Sequence, residues 1–273
     1  MQTLTDIKAL LDAHGLSPKK SLGQNFLCDH NHIRKLVDDA GVTTGDLVLE
    51  VGPGTGALTD ELVERGASVI ACEMDDGLAR LIRERFGDRV ALIHGDCLAS
   101  KREVNPEIVS AIDGRPFKLV ANLPYNAATP LMLTLAIDHP NCLGMWVTIQ
   151  KEVAERLRAT HGNKTYGEVS VIAQALFEVQ RVAKLPPGCF WPQPKVTSEM
   201  VALTRRAAPL TDDPRALADG AHALFAERRK QIGRLLVANA VLPDGIGGNM
   251  RAEQLSVEQV VLLIRKGLVR PSG

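Results

Sequence analysis

The sequence predicts an α/β fold: a seven-stranded sheet with a small helical domain at the C-terminal end. Three observations carry this. Between residues 47 and 177, short β-rich apolar runs alternate with stretches of helical period. The first run, LVLEV, leads directly into the glycine-rich turn Gly52-Pro53-Gly54-Thr55-Gly56. Beyond residue 206 the apolar spacing is helical throughout. Strands alternating with helices are the pattern of a parallel sheet with crossover connections.

Taken in order, Leu4, Ile7, Leu10 and Leu11 are spaced for a helix that Gly15 ends. Ile33, Leu36, Val37 and Ala40 give a second, with Asp29 as N-cap and Gly41 as stop. Between them runs the loop SPKKSLGQNFLCD. Strands are expected at 47–51, 68–72, 90–94, 117–121 and 144–149, and a helix at 169–177. Two more strands, 178–184 and 200–204, flank the proline-rich loop LPPGCFWPQPKVTSE, a long hairpin that would give the sheet an antiparallel edge. After Arg205 and Arg206, AAPLTDDP reads as a linker, dividing the chain into 1–206 and 207–273. Helices are then expected at 217–225, 232–237 and 257–264.

Composition narrows the function classes. Of 273 residues, 45% are hydrophobic and 23% charged, enough apolar material for a sizeable core and too ordered a balance for a disordered or fibrous chain. Cys28, Cys72, Cys97, Cys142 and Cys189 form no C-x-x-C pair, and the seven histidines show no metal-ligand spacing. Neither a disulfide framework nor a metal is expected, and a cytoplasmic location fits best. The N-terminus lacks the basic start and apolar block of a signal peptide. No apolar run reaches the roughly 18 residues of a membrane helix. The net charge of zero argues against a polycationic nucleic-acid binder, but its distribution is uneven. Residues 1–150 hold 14 Lys/Arg and 20 Asp/Glu, whereas residues 151–273 hold 18 and 12. A basic second half can attract phosphate.

The turn after LVLEV lets a ligand approach the backbone and the following helix N-terminus closely. With Ala57 it also satisfies the G-x-G-x-x-G/A dinucleotide pattern, which makes a nicotinamide dehydrogenase the first rival reading. Glu73, 21 residues after Gly52 at the end of the second strand, can accept both hydroxyls of a ribose or simply cap the helix starting near Asp75. Asp96, after His94-Gly95, can accept from an adenine amino group or belong to an ordinary Gly-Asp turn.

The fourth strand separates the rivals, because it ends in Asn122-Leu123-Pro124-Tyr125, for which a dehydrogenase has no evident use. The N6 amine of adenine is a poor nucleophile, its lone pair being delocalised into the ring. A site that methylates it must orient the amine by accepting from its N–H groups, as the Asn122 side-chain oxygen and a nearby backbone carbonyl can. Tyr125 offers a ring face to a base that has left its stack.

On these residues the chain resembles the KsgA-type family of small-subunit rRNA adenine N6,N6-dimethyltransferases. The resemblance runs through GQNFLCD (23–29), EVGPGTGALT (50–59), Glu73, GD (95–96), NLPYNAATPL (122–131), QKEVAERL (150–157), YGEVSVIAQ (166–174), FWPQPKVTS (190–198) and ERRKQIGRLL (227–236). It implies a Rossmann-like class I methyltransferase sheet with a small helical RNA-contacting domain. It also implies S-adenosylmethionine as cofactor, and dimethylation of two adjacent adenosines near the 3′ end of 16S rRNA in a pre-30S particle, by a monomer that holds no metal. Asn25, Leu27, Gly52, Gly54, Glu73, Asp96 and Asn122 would line the cofactor site; Asn122, Leu123 and Tyr125 would hold the amine, with Phe190 on the other face of the base. Arg228, Arg229 and Lys230 are the expected phosphate contacts. The chain departs from the family at Ala127-Ala128, where Ile-Ser or Ile-Thr is common, and at Trp191, where a small or polar residue is more familiar. The alternatives are a large-subunit rRNA methyltransferase of the macrolide-resistance type, and an RNA-binding assembly factor without turnover.

Overall fold

The computed structural model describes residues 2–270. Seven strands make the central sheet: β1 (Leu47–Val51), β2 (Ser68–Glu73), β3 (Val90–His94), β4 (Phe117–Asn122), β5 (Cys142–Gln150), β6 (Phe177–Leu185) and β7 (Ser198–Arg205). Their order is β3-β2-β1-β4-β5-β7-β6. The strands expected from sequence are all present, each within two residues of its expected ends.

Strand β1 is buried along its whole length, as a central parallel strand covered on both faces must be. It pairs in parallel with β2, Leu47 opposite Ser68 through Val51 opposite Cys72, and with β4 through Val48–Lys118 and Leu49–Leu119. β2 pairs with β3, and β4 with β5, also in parallel. The chain winds outward from β1 to β3, then returns to β4 on the other side of β1. That reversal opens a crevice at the carboxyl ends of β1 and β4, the ordinary ligand position in such sheets.

Helices α1 (Leu4–Ala13), α2 (His30–Asp39), α3 (Ala57–Glu64), α4 (Asp76–Phe86), α5 (Pro106–Ile112) and α6 (Tyr125–Asp138) fall before and between these strands. Asp29 caps α2, accepting from the His32 N–H, as its place before the apolar spacing predicts. After β5 come α7 (Lys151–Arg158) and α8 (Glu168–Leu176), and after β7 come α9 (Pro214–Ala226) and α10 (Val257–Arg265).

The chain divides into two compact units. One comprises residues up to Leu135, Asn141–Ala154 and Gln180–Leu203; its core includes Leu36, Val37, Val48, Leu62, Ile82, Val120 and Met200. The other comprises Ala136–Pro140, Glu155–Val179 and the residues from Thr204 on. Its own core gathers Tyr166, Val171, Leu217, Leu224, Val260 and Leu263, with the Tyr166 and Phe225 rings edge to face at 5.7 Å.

One expected helix is corrected. Residues 232–237 form only a 3₁₀ turn, Ile232–Arg234. The Ile232 and Gly233 N–H groups donate to the carbonyls of Met250 and Gly248, so the segment satisfies its backbone against a distant chain segment rather than within a helix. A Cβ on Gly233 would lie 2.9 Å from the Gly248 oxygen, which is why a glycine stands there. Among the described residues, no helix is long and apolar enough to cross a membrane.

Candidate active site

A cavity of about 340 Å³ lies at the carboxyl ends of β1 to β4. Asn25, Leu27, Gly52, Gly54, Glu73, Asp96, Asn122, Leu123 and Tyr125 all line it, although they come from five separate stretches of sequence.

The glycine turn shapes one wall. Gly52 and Gly54 have φ of +73° and +61°, a region other residues rarely adopt. A Cβ on Gly54 would stand 2.9 Å from the Phe26 ring, and one on Gly52 would meet Pro124 at 3.3 Å. The turn therefore keeps both its shape and its clearance only with glycine. Thr55 at its end is fixed by Gln2, whose side-chain amide donates to the Thr55 carbonyl, and by Arg85, which also donates there while gripping Asp60 with its other terminal nitrogen.

Glu73 ends β2 with only 5% of its surface exposed. One carboxylate oxygen accepts from the Gly54 N–H at 3.1 Å and the other from the Asp75 N–H at 2.9 Å. Each oxygen keeps a second lone pair for a ligand. Burial raises its pKa, against which the backbone donors at Asp75 and Gly54 work. The cap of α4 is a different residue: Asp75 accepts from the Gly77 and Leu78 N–H groups and pairs with Lys19 at 2.6 Å. Asp96 uses one oxygen to accept from the Leu98 N–H in a tight turn.

Asn122 ends β4, and its amide nitrogen donates to the Asn25 carbonyl at 3.0 Å. Since that carbonyl can only accept, the amide orientation is set, and Oδ1 is the atom left to accept from a ligand. The Leu123 N–H is taken by the Thr148 carbonyl. Pro124 turns the chain into α6 by accepting from the Ala127 and Ala128 N–H groups with its carbonyl. Backbone bonds thus hold the turn at the very position where this chain lacks a side-chain hydroxyl. The Tyr125 hydroxyl meets Ser198 at 3.0 Å, and burial raises its pKa, so it stays protonated at neutral pH.

Phe190 is not brought to the cavity. Its ring is 2% exposed and packs in the core with Leu27, Ile33 and Leu185. It pairs with Leu27, and Trp191 with Phe26, in a two-stranded ribbon. Arg228 and Lys230 lie in the second compact unit, held by Glu253 at 3.0 Å and Glu227 at 3.2 Å, while Arg229 is exposed.

Among the lining residues that sequence reading passed over are Glu50 and Met74. Glu50 is 1% exposed, accepts from the Thr59 hydroxyl at 2.7 Å, and burial pushes its pKa up to about 8. A carboxylate within the apolar run LVLEV was the signal for it. Met74, 53% exposed beside Glu73, has no pattern that sets it apart.

Comparison with known proteins agrees with this geometry. The family model described as "Ribosomal RNA adenine dimethylase" matches residues 15–266. A protein of Mycobacterium tuberculosis named "Ribosomal RNA small subunit methyltransferase A" is 38% identical, over 96% of this chain and 87% of its own length. A Geobacillus thermodenitrificans protein of the same name is 40% identical, over 87% and 82%. Among solved structures, a dimethyladenosine transferase from Plasmodium falciparum matches with a TM-score of 0.71 at 23% identity, covering 88% of this chain and 98% of that one. The 23S rRNA methyltransferase ErmE matches with a TM-score of 0.66 at 26% identity, covering 89% and 99%.

Proposed function

Because the chain belongs to the ribosomal RNA adenine dimethylase family, we propose that it dimethylates the N6 amine of adenine in small-subunit rRNA, with S-adenosylmethionine as methyl donor. The observation that carries this reading is the convergence of Asn122-Leu123-Pro124-Tyr125 with the glycine turn and Glu73 on one cavity. Two adjacent adenosines near the 3′ end of 16S rRNA are the proposed targets, within a pre-30S particle in the cytoplasm, the enzyme acting as a monomer. The relatives at 38 and 40% identity are named for the small subunit, which favours this substrate over large-subunit rRNA.

The cavity fits the cofactor. Glu73, a buried carboxylate with unused lone pairs, can accept the ribose hydroxyls, and Asp96 can accept from the adenine amino group with the oxygen not used by Leu98. Gly52 and Gly54 leave the backbone bare where the amino-acid end would lie, between the Asn25–Leu27 segment and Asn122. When bound, the cofactor supplies an electrophilic methyl group on a sulfonium.

The protein's contribution is position. Oδ1 of Asn122, with the Leu123 backbone beside it, accepts from the target N–H groups and turns the nitrogen lone pair toward the methyl carbon. A neutral amide is too weak a base to deprotonate the amine beforehand, so the proton leaves after attack, when the nitrogen has become acidic. Tyr125 supports one face of the base, and Phe190 serves the other only if its ring leaves the core it occupies without substrate. Residues 1–206 would carry the chemistry and 207–273, with Arg228, Arg229 and Lys230, the RNA contacts.

The test is methyl incorporation from S-adenosylmethionine into 30S particles isolated from cells lacking the modification. Mass spectrometry of the rRNA should show dimethyladenosine at adjacent positions. No incorporation, by protein that binds S-adenosylhomocysteine, would leave an RNA-binding factor without turnover.

A further inference from the structure

The side chains of Asp29, His32 and Cys189 converge outside the cavity, although Cys189 lies 157 residues beyond His32 in the chain. One ligand atom from each falls within 4.8 Å of the others. His32 Nδ1 is 3.1 Å from an Asp29 oxygen; Cys189 Sγ is 3.8 Å from the other Asp29 oxygen and 3.9 Å from His32 Nδ1. Bond lengths of about 2.0 to 2.2 Å for N and O and about 2.3 Å for S imply tetrahedral edges of roughly 3.3 to 3.6 Å around zinc. The His32–Asp29 separation falls just below that range and the two to Cys189 just above it, on different Asp29 oxygens, so a small rotation of the carboxylate is needed to turn one oxygen to both partners.

From this we infer that Asp29, His32 and Cys189 form a site for a borderline divalent cation of the Zn²⁺ class. Imidazole, carboxylate and thiolate together suit zinc and are a poor set for Mg²⁺ or Ca²⁺, which take oxygen ligands. Cys28 stands ready as a fourth ligand. Its N–H and its thiol both donate to the Cys189 carbonyl, at 2.9 and 3.2 Å, which continues the Phe26–Leu27 ribbon by one pair. Residues directly opposite in an antiparallel ribbon project to the same face, which puts the Cys28 side chain on the Cys189 side of the ribbon.

Binding requires Cys189 to release its thiol proton to solvent and His32 Nδ1 to carry no proton; Cys28, on joining as fourth ligand, releases its thiol proton to solvent too and gives up its bond to the Cys189 carbonyl. The bound ion would tie the N-terminus of α2 to the ribbon and so fix the chain on either side of Leu27, a cavity-lining residue. The sequence gives little sign of this, because only Asp29 and His32 are near each other in the chain.

Metal-free full-length protein titrated with CoCl₂ tests the site. One equivalent should bind with the visible bands of tetrahedral cobalt and a thiolate charge-transfer band in the near ultraviolet, and ZnCl₂ should displace it. Asp29→Asn preserves the helix cap, since Asn caps as well as Asp, yet should weaken cobalt binding at least about ten-fold. His32→Ala, at a partly exposed position, should do the same; Cys189→Ser should weaken the charge-transfer band, and Cys28→Ser with Cys189→Ser should abolish it. Cys72→Ser, remote from the cluster in sequence and on β2, should leave the titration unaltered. An octahedral spectrum without the thiolate band, or affinity undiminished in Asp29→Asn and His32→Ala, would overturn the assignment.

Discussion

Asn122 is held through its amide nitrogen by the Asn25 carbonyl, so its oxygen is oriented before any substrate arrives. An acceptor fixed in advance does not have to be reorganised during the reaction, which is where preorganised hydrogen bonds gain their value. Asn122→Ala should lower the single-turnover rate of methyl transfer by on the order of 10²-fold at saturating RNA and cofactor. Asn122→Asp, which still accepts, should keep appreciable activity; a wild-type rate in the Ala variant would remove Asn122 from the chemistry. Glu50 makes a different prediction, on stability. Its folded pKa of about 8 lies above the ordinary 4.5, so the folded protein holds a proton that the unfolded chain has lost. Stability should be greatest below about pH 4.5 as far as this group is concerned, and should fall as pH rises toward 8, by at most about 1.4 kcal/mol per pH unit. Melting temperatures of the ligand-free protein across that range should show a shallower fall in Glu50→Gln. Parallel curves for the two proteins would mean that Glu50 titrates normally.

Elements whose signal is local were legible in the sequence. The strand β1, the glycine turn and the cap at Asp29 follow from short stretches of residues whose conformational needs are their own. Elements settled by distant partners were not: residues 232–237 have helical spacing, but Leu236 bridges to Val269 and the Val237 N–H donates to the Leu268 carbonyl instead of back along a helix. The ribbon of Phe26–Leu27 with Phe190–Trp191 is two residues long on each side, too short for any periodicity to announce it. Its burial of Phe190 changes what a substitution there should do. Phe190→Ala removes a ring from a packed core, and chemical denaturation should report a loss of about 3 to 5 kcal/mol. A loss within about 0.5 kcal/mol, the range of surface changes, would show that the ring spends its time outside. That the expected strand-end residues meet at one cavity was legible, because strand ends of an α/β sheet come together at one edge whatever the loops do.

At the scale of the molecule, charge is divided along the chain, with 20 acids against 14 bases up to residue 150 and 12 against 18 after it. Within the expected phosphate-binding cluster the basic groups are unequal, since Arg228 and Lys230 already face Glu253 and Glu227 while Arg229 is exposed. Arg229→Gln should therefore reduce the slope of log affinity against log salt by about 0.7 to 0.9, the contribution of one phosphate contact, and account for most of the change seen on replacing all three. An unaltered slope would leave the cluster as ordinary surface. The ribbon also bears on how the molecule is made. Its partners are more than 160 residues apart, so the Phe26–Leu27 strand has no ribbon partner until residues 190 and 191 have been synthesised. At about 5 to 20 residues per second, a nascent chain waits roughly 8 to 33 s for that moment. Until then the strand that carries Leu27 into the cavity keeps a bare edge, open to chaperones and proteases, although the first helix can already pack on Leu78 and Leu81, and an enzyme that modifies ribosomes spends much of its own synthesis with its pocket unfinished.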